Sequence, residues 1–153
     1  MIKRLLIISL VWVLGMNAQA QVNWLSFEEL DSALNAATKP VFIDFYTDWC
    51  TYCKKMDKEV FTHDEVIEGL NTSFYAVRFN AESDSVVSFD GAQFEKQENQ
   101  LFHDLALLLG TRGGQFAPPA LVFLDPSFKI KERHLQYMSR KQLLKRIEKY
   151  AQD

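Results

Sequence analysis

Helical patterns that alternate with apolar strand runs, then two strands across a short turn and a closing helix, predict an α/β fold: a sandwich around a mixed sheet. Three stretches carry that expectation. Val41-Phe42-Ile43-Asp44-Phe45-Tyr46 is a β-prone, nearly unbroken apolar run of the kind found in a strand covered on both faces. Leu143, Leu144, Ile147 and Tyr150 recur at helical spacing near the end of the chain. Asp125-Pro126-Ser127, between two strand-like runs, is turn chemistry that reverses the chain.

In chain order, Ser26 with Glu29 three residues on forms a capping box, and Phe27, Leu30, Ala33, Leu34 and Ala37 give a first helix that Lys39-Pro40 ends. After the strand 41–46, a helix is expected to begin around Cys50 and to carry Lys54, Lys55 and Met56. Thr62 with Glu65 repeats the capping pattern before a short helix to Leu70, and 74–79 reads as the next strand. From 81 to about 97 the chain is polar and aperiodic. Val86, Val87, Phe89 and Phe94 argue against disorder there, so an ordered insertion or long loop is expected. Leu101, Leu105, Leu108 and Leu109 give a helix ended by Gly110, and Thr111-Arg112-Gly113-Gly114 is loop. The last strands are 120–124 and 129–134, and Ser139 caps the final helix.

The first twenty residues read as an export signal, with Lys3 and Arg4 at the start, an apolar stretch over 5–14, and the small-residue site Ala18-Gln19-Ala20. That stretch is about half of the ~20 residues a spanning helix needs. Cleavage after Ala20 and no stable membrane insertion afterwards are therefore expected, in a periplasmic or otherwise exported protein. Residues 21–153 suit a single domain, and 48% hydrophobic residues over the full chain can fill one core. Cleavage removes two of 17 basic side chains and none of 20 acidic ones, taking the net charge from −3 to −5 with histidine neutral. A general nucleic-acid binder would need the opposite balance, so nucleic acid is not an expected partner.

The chain has two cysteines, Cys50 and Cys53, three residues apart. A bond between them closes a tiny loop and removes little entropy from the unfolded chain, so a stapling role explains them poorly. Zinc needs about four ligands, and His63, His103 and His134 stand at no familiar ligand spacing. Covalent haem needs a histidine directly after the second cysteine, where Lys54 stands instead. Neither a metal nor a cofactor is therefore expected. Cys50-Thr51-Tyr52-Cys53 follows a strand through Thr47-Asp48-Trp49 and opens a helix, the context in which this spacing has redox meaning. Unpaired N–H groups and the helix dipole at that tip favour thiolate at Cys50. Cys53 lies on the same helical face, one turn deeper, and can reach the Cys50 sulfur.

Magnitudes limit what the helix tip achieves. Lowering a thiol pKa from ~8.5 to ~7 raises the thiolate fraction at neutral pH about sixteenfold, while intrinsic nucleophilicity falls roughly fivefold, for a net gain of about threefold. The larger effect is on reduction potential, where ~30 mV corresponds to about 1.4 kcal/mol.

Other residues have two readings each. Asp44, in the most apolar strand, is either turned to an edge or buried with a raised pKa for proton transfer, with Arg78 as its neighbour-strand partner or as a solvated strand-end residue. In Pro118-Pro119 a bond is either cis at a turn or an ordinary trans strand start. Trp49 and Tyr52 either shape an apolar surface around the sulfurs or, for Trp49, pack in the core.

Val41-Phe-Ile-Asp-Phe-Tyr-Thr-Asp-Trp-Cys-Thr-Tyr-Cys-Lys-Lys-Met56 together with Pro119-Ala-Leu-Val-Phe-Leu-Asp125 resembles the thioredoxin superfamily, above all exported thioredoxin-like proteins and the C-terminal periplasmic domain of the bacterial thiol–disulfide interchange reductase. The likeness runs over about 24–150 and implies a three-layer α/β/α sandwich with a central mixed sheet. It implies that Cys50 attacks, Cys53 resolves, Asp44 assists proton transfer, and Pro119 is a cis-proline whose loop takes up an extended substrate segment beside Trp49 and Tyr52. It also places Arg78 near Asp44. Departures are Thr51-Tyr52 between the cysteines, Ala120 in place of the usual threonine after the proline, a long loop at 113–117 and the insertion at 81–97.

The expected activity is thiol–disulfide exchange through a mixed disulfide, as a reductant of protein disulfides in cysteine-containing exported proteins, resupplied by a membrane-embedded electron donor. A monomer is expected. The rival expectations are a protein disulfide oxidant, a reductase specialised for cytochrome maturation, and a binding or chaperone-like module that keeps its cysteines without turnover.

Overall fold

The computed structural model describes residues 20–152, so the expected export signal and its cleavage lie outside the described residues but for Ala20. The elements are β1 (Trp24–Leu25), α1 (Phe27–Ala36), β2 (Val41–Tyr46), α2 (Thr51–Glu59), α3 (Asp64–Ser73), β3 (Tyr75–Asn80), β4 (Val87–Phe89), β5 (Ala92–Phe94), α4 (Asp104–Gly110), β6 (Ala120–Leu124), β7 (Ile130–His134) and α5 (Arg140–Tyr150). Helix α1 starts where its capping box predicts, with Ser26 and Glu29 exchanging hydrogen bonds, and Ser139 with Gln142 forms a second box at α5.

Three local expectations need correction. Thr62 does not cap α3: its hydroxyl donates to the Lys58 carbonyl at 2.8 Å, completing the end of α2, and His63 stands at the cap position without a side-chain bond. Helix α4 starts later than Leu101, because buried His103 accepts the Leu105 N–H on Nδ1 at 3.1 Å and so sets the first turn. The stretch 81–97 contains a two-stranded hairpin, β4 and β5, turned by Asp90 and Gly91 at φ 50° and 72°.

The main sheet has strand order β1-β3-β2-β6-β7. Strands β1 and β2 run parallel to β3, while β6 is antiparallel to both β2 and β7, so the sheet is mixed. Alternation along β2 divides the interior into two cores. Phe42 packs with Met56, Leu70, Phe123 and Leu143 under α2, α3 and α5, whereas Val41, Ile43 and Phe45 pack with Phe27, Leu30, Leu105 and Phe89 under α1, α4 and the hairpin. The result is a three-layer α/β/α sandwich.

Candidate active site

Strand β2 ends at Tyr46, and buried Thr47 passes the chain to the start of α2, where the Cys50 N–H donates to the Thr47 carbonyl at 3.2 Å. Cys50 is the N-cap of α2: its backbone is extended, and its sulfur accepts the Cys53 N–H at 3.1 Å. One donor that the helix start leaves unpaired is thereby aimed at the Cys50 sulfur. Cys50 and Cys53 are joined in a disulfide with Cα atoms 5.3 Å apart. Both are nearly covered, at 4% and 3% exposure, although Cys50 stands at the helix tip. The exposed groups are its neighbours. Trp49 is 60% and Tyr52 59% exposed, which settles Trp49 as a surface residue.

The Pro118–Pro119 bond is cis, and Pro119 is buried. Ala120 pairs with Phe45 in the antiparallel register of β6 on β2, so Pro119 lies one step further on, at the sheet end from which β2 runs into the cysteines. Strand register thus brings Cys50 and Pro119, far apart in the chain, to one end of the sheet.

Asp44 shares the Phe42 side of β2 and therefore faces the layer that contains α2. Its side chain is 2% exposed and lies 3.3 Å from Arg78 Nε of the paired strand β3. That contact is an ion pair without hydrogen-bond alignment, and Asp44 Oδ1 is buried without a hydrogen bond among the described residues. Arg78 also donates from Nη2 to Asp57 Oδ2 at 2.9 Å, with its guanidinium over the Tyr46 ring at 4.5 Å. Burial raises the Asp44 pKa from 3.8 to about 7, opposed by the charge of Arg78 and assisted by that of Asp57. Asp57 stands four residues after Cys53 on the same face of α2, so the Asp44–Arg78–Asp57 chain ends one helical turn from the inner cysteine.

Of the residues expected at the site, Cys50, Cys53, Trp49 and Tyr52 sit together at the start of α2 and Pro119 at the same sheet end, while Asp44 lies beneath the helix. Sequence reading missed Asp57, whose i+4 spacing from Cys53 was a usable signal. It also missed Tyr137 and Glu82, which had none. The Tyr137 ring lies 6.2 Å from that of Tyr52 and beneath Lys55 Nζ, and its hydroxyl donates to Glu59 at 3.3 Å. Glu82 accepts the indole N–H of Trp49.

Comparison with known proteins agrees with this fold. Residues 27–151 match the family described as a thioredoxin-like domain. The thiol:disulfide interchange protein DsbD of Ralstonia nicotianae is 38% identical over 103 residues, which is 65% of this chain and 14% of that protein. The chain spans less than a fifth of the length of such curated relatives. Among solved structures, the oxidised C-terminal domain of Neisseria meningitidis DsbD is similar with TM-score 0.55 and 22% identity, covering 80% of this chain and 90% of that one. A thioredoxin from Thermus thermophilus is similar with TM-score 0.61 and 20% identity, covering 84% and 86%.

Proposed function

This chain belongs to the thioredoxin-like domain family, and we propose that it works there as a thiol–disulfide oxidoreductase that reduces protein disulfides in an exported setting. The observation that carries this reading is the Cys50–Cys53 disulfide at the N-cap of α2, at the sheet end that also holds cis-Pro119. With the pair reduced, Cys50 thiolate attacks one sulfur of a partner disulfide, a mixed disulfide forms, and the partner's other sulfur leaves as a thiolate that takes up a proton. Cys53 loses its proton and attacks the Cys50 sulfur. The second partner thiol is released, two electrons have passed to the partner, and the Cys50–Cys53 bond is restored. Asp44, buried beneath α2 with a pKa near 7, is suited to accept the Cys53 proton at neutral pH.

Repetition requires a thiol donor that returns two electrons, and in an exported protein that donor is membrane-embedded. The exported setting itself rests on the N-terminal twenty residues. Among the described residues no helix is long and apolar enough to cross a membrane.

Cys53→Ala should stall the mixed disulfide and retain partners on non-reducing gels, while Cys50→Ala retains none. An empty trap with Cys53→Ala would remove the proposed activity. A reduction potential near the ~−120 mV of strongly oxidising pairs would reverse the direction of electron flow. The near-complete cover of both cysteines favours a second reading, a binding module without redox turnover. In that case the wild type and Cys50→Ala would bind partners equally well.

A further inference from the structure

The segment 81–97 reaches the residues beside the disulfide through Glu82. The Trp49 indole Nε1–H donates to Glu82 Oε1 at 3.0 Å, so the most exposed aromatic ring beside the disulfide has its only polar atom tied to the insertion. The backbone of Glu82 is itself held at both its N–H and its carbonyl. Its backbone N–H donates to Asn80 Oδ1 at 2.9 Å, and its carbonyl accepts from Lys96 Nζ at 3.1 Å, at the far end of the insertion. Lys96 also pairs with Asp84. Behind Glu82, the Ala81 N–H donates to the Tyr46 carbonyl at the end of β2, and the Ala81 carbonyl accepts the His103 N–H. His103 Nε2 in turn meets the Ser85 carbonyl at 3.1 Å. The insertion is therefore anchored to both β2 and α4, and the Glu82 backbone is held in place, so its carboxylate starts from a fixed point beside Trp49.

We infer that Glu82 is a positioning residue that sets partner selectivity by holding the Trp49 ring as a rigid apolar wall beside the disulfide, for partners whose cysteine is flanked by an apolar side chain in an extended segment. This rests on the proposed disulfide exchange and adds to it the role of the insertion. An exposed tryptophan free to turn loses that freedom when a partner packs on it, and a ring already held does not. Tyr52, steadied against Tyr137, supplies the neighbouring ring, so the surface around Cys50 is aromatic while the cysteines themselves are covered.

The test compares two disulfide-bonded peptides that differ only beside the cysteine, one with phenylalanine and one with glycine, in reduction by the protein held reduced with dithiothreitol. The ratio of their kcat/KM values is the readout. The wild type should prefer the phenylalanine peptide, and Glu82→Ala should lower that preference about three- to tenfold, the range expected for immobilising one side chain on binding. The loss should fall in KM rather than kcat. Glu82→Gln, which keeps an acceptor oxygen, should retain the preference, and Trp49→Phe, which lacks the N–H, should reproduce the loss even where Glu82→Ala does not fold. In the Trp49→Phe background, Glu82→Ala should change nothing more. An unchanged ratio in Trp49→Phe, or a further drop in the double variant, overturns the inference alone. A wild-type protein inert toward both peptides overturns the proposed function and this inference together.

Discussion

Asp44 carries a carboxyl into the core at 2% side-chain exposure, and its protonation follows from burial before anything else. Its pKa is about 7 in the fold against 3.8 when solvated, so between those values the folded chain holds the proton that the unfolded chain has released. Stability contributed by this neutral carboxyl is complete below about pH 4 and falls as pH rises through 7. Asp44→Asn is therefore expected to stabilise the oxidised protein at pH 8 by up to about 4 kcal/mol and to change little at pH 4. Arg78 keeps its bond to Asp57 in that variant, which limits the disturbance. Urea unfolding at the two pH values measures it, and an equal effect at both would contradict a buried carboxyl of raised pKa. The composition of β2 made Asp44 conspicuous in the sequence, but the choice between an edge and the core depended on which residues lay on either side.

The hairpin of β4 and β5 shows how a short element escapes a periodicity reading. Each strand has three residues, too few for alternation to stand out, and the informative signal was the Asp90-Gly91 pair between Val87, Phe89 and Phe94. Both turn residues have positive φ. A Cβ on Gly91 would meet nothing within 4 Å, so crowding does not explain the glycine and backbone conformation does. Gly91→Ala should cost about 1–2 kcal/mol through left-handed strain. Amide exchange over 87–94 should speed up correspondingly, and unchanged exchange there would show that the turn tolerates a side chain. Longer elements were legible in the sequence. Strand β2 and helices α1 and α5 repeat their patterns often enough, and two of them carry caps, whereas Thr62 was misread because its hydroxyl had a nearer carbonyl to serve.

Across the molecule, one sheet separates two cores, and the active site sits where β2 leaves the sheet between them. Phe123 of β6 is fully buried, with ring centres 5.0 Å from Phe42, 6.2 Å from Phe74 and 5.1 Å from Tyr150, and so joins the sheet to α3 and α5. Phe123→Ala should lower stability by about 3–5 kcal/mol, a large part of what a domain of this size possesses. A lower denaturation midpoint with an unchanged m-value would show that cost, while a loss below about 1 kcal/mol would mean the core had refilled the space. The order of elements, the apolar strand, the helix opening at Cys50 and the redox spacing of the cysteines were all written locally, because they depend on neighbours within about two helical turns. Pairing of distant strands is not written that way. Folding alone brought Pro119 to the cysteine end of the sheet, set Arg78 between Asp44 and Asp57, tied Trp49 to Glu82 and covered both sulfurs, since each depends on a register or packing choice made across tens of residues.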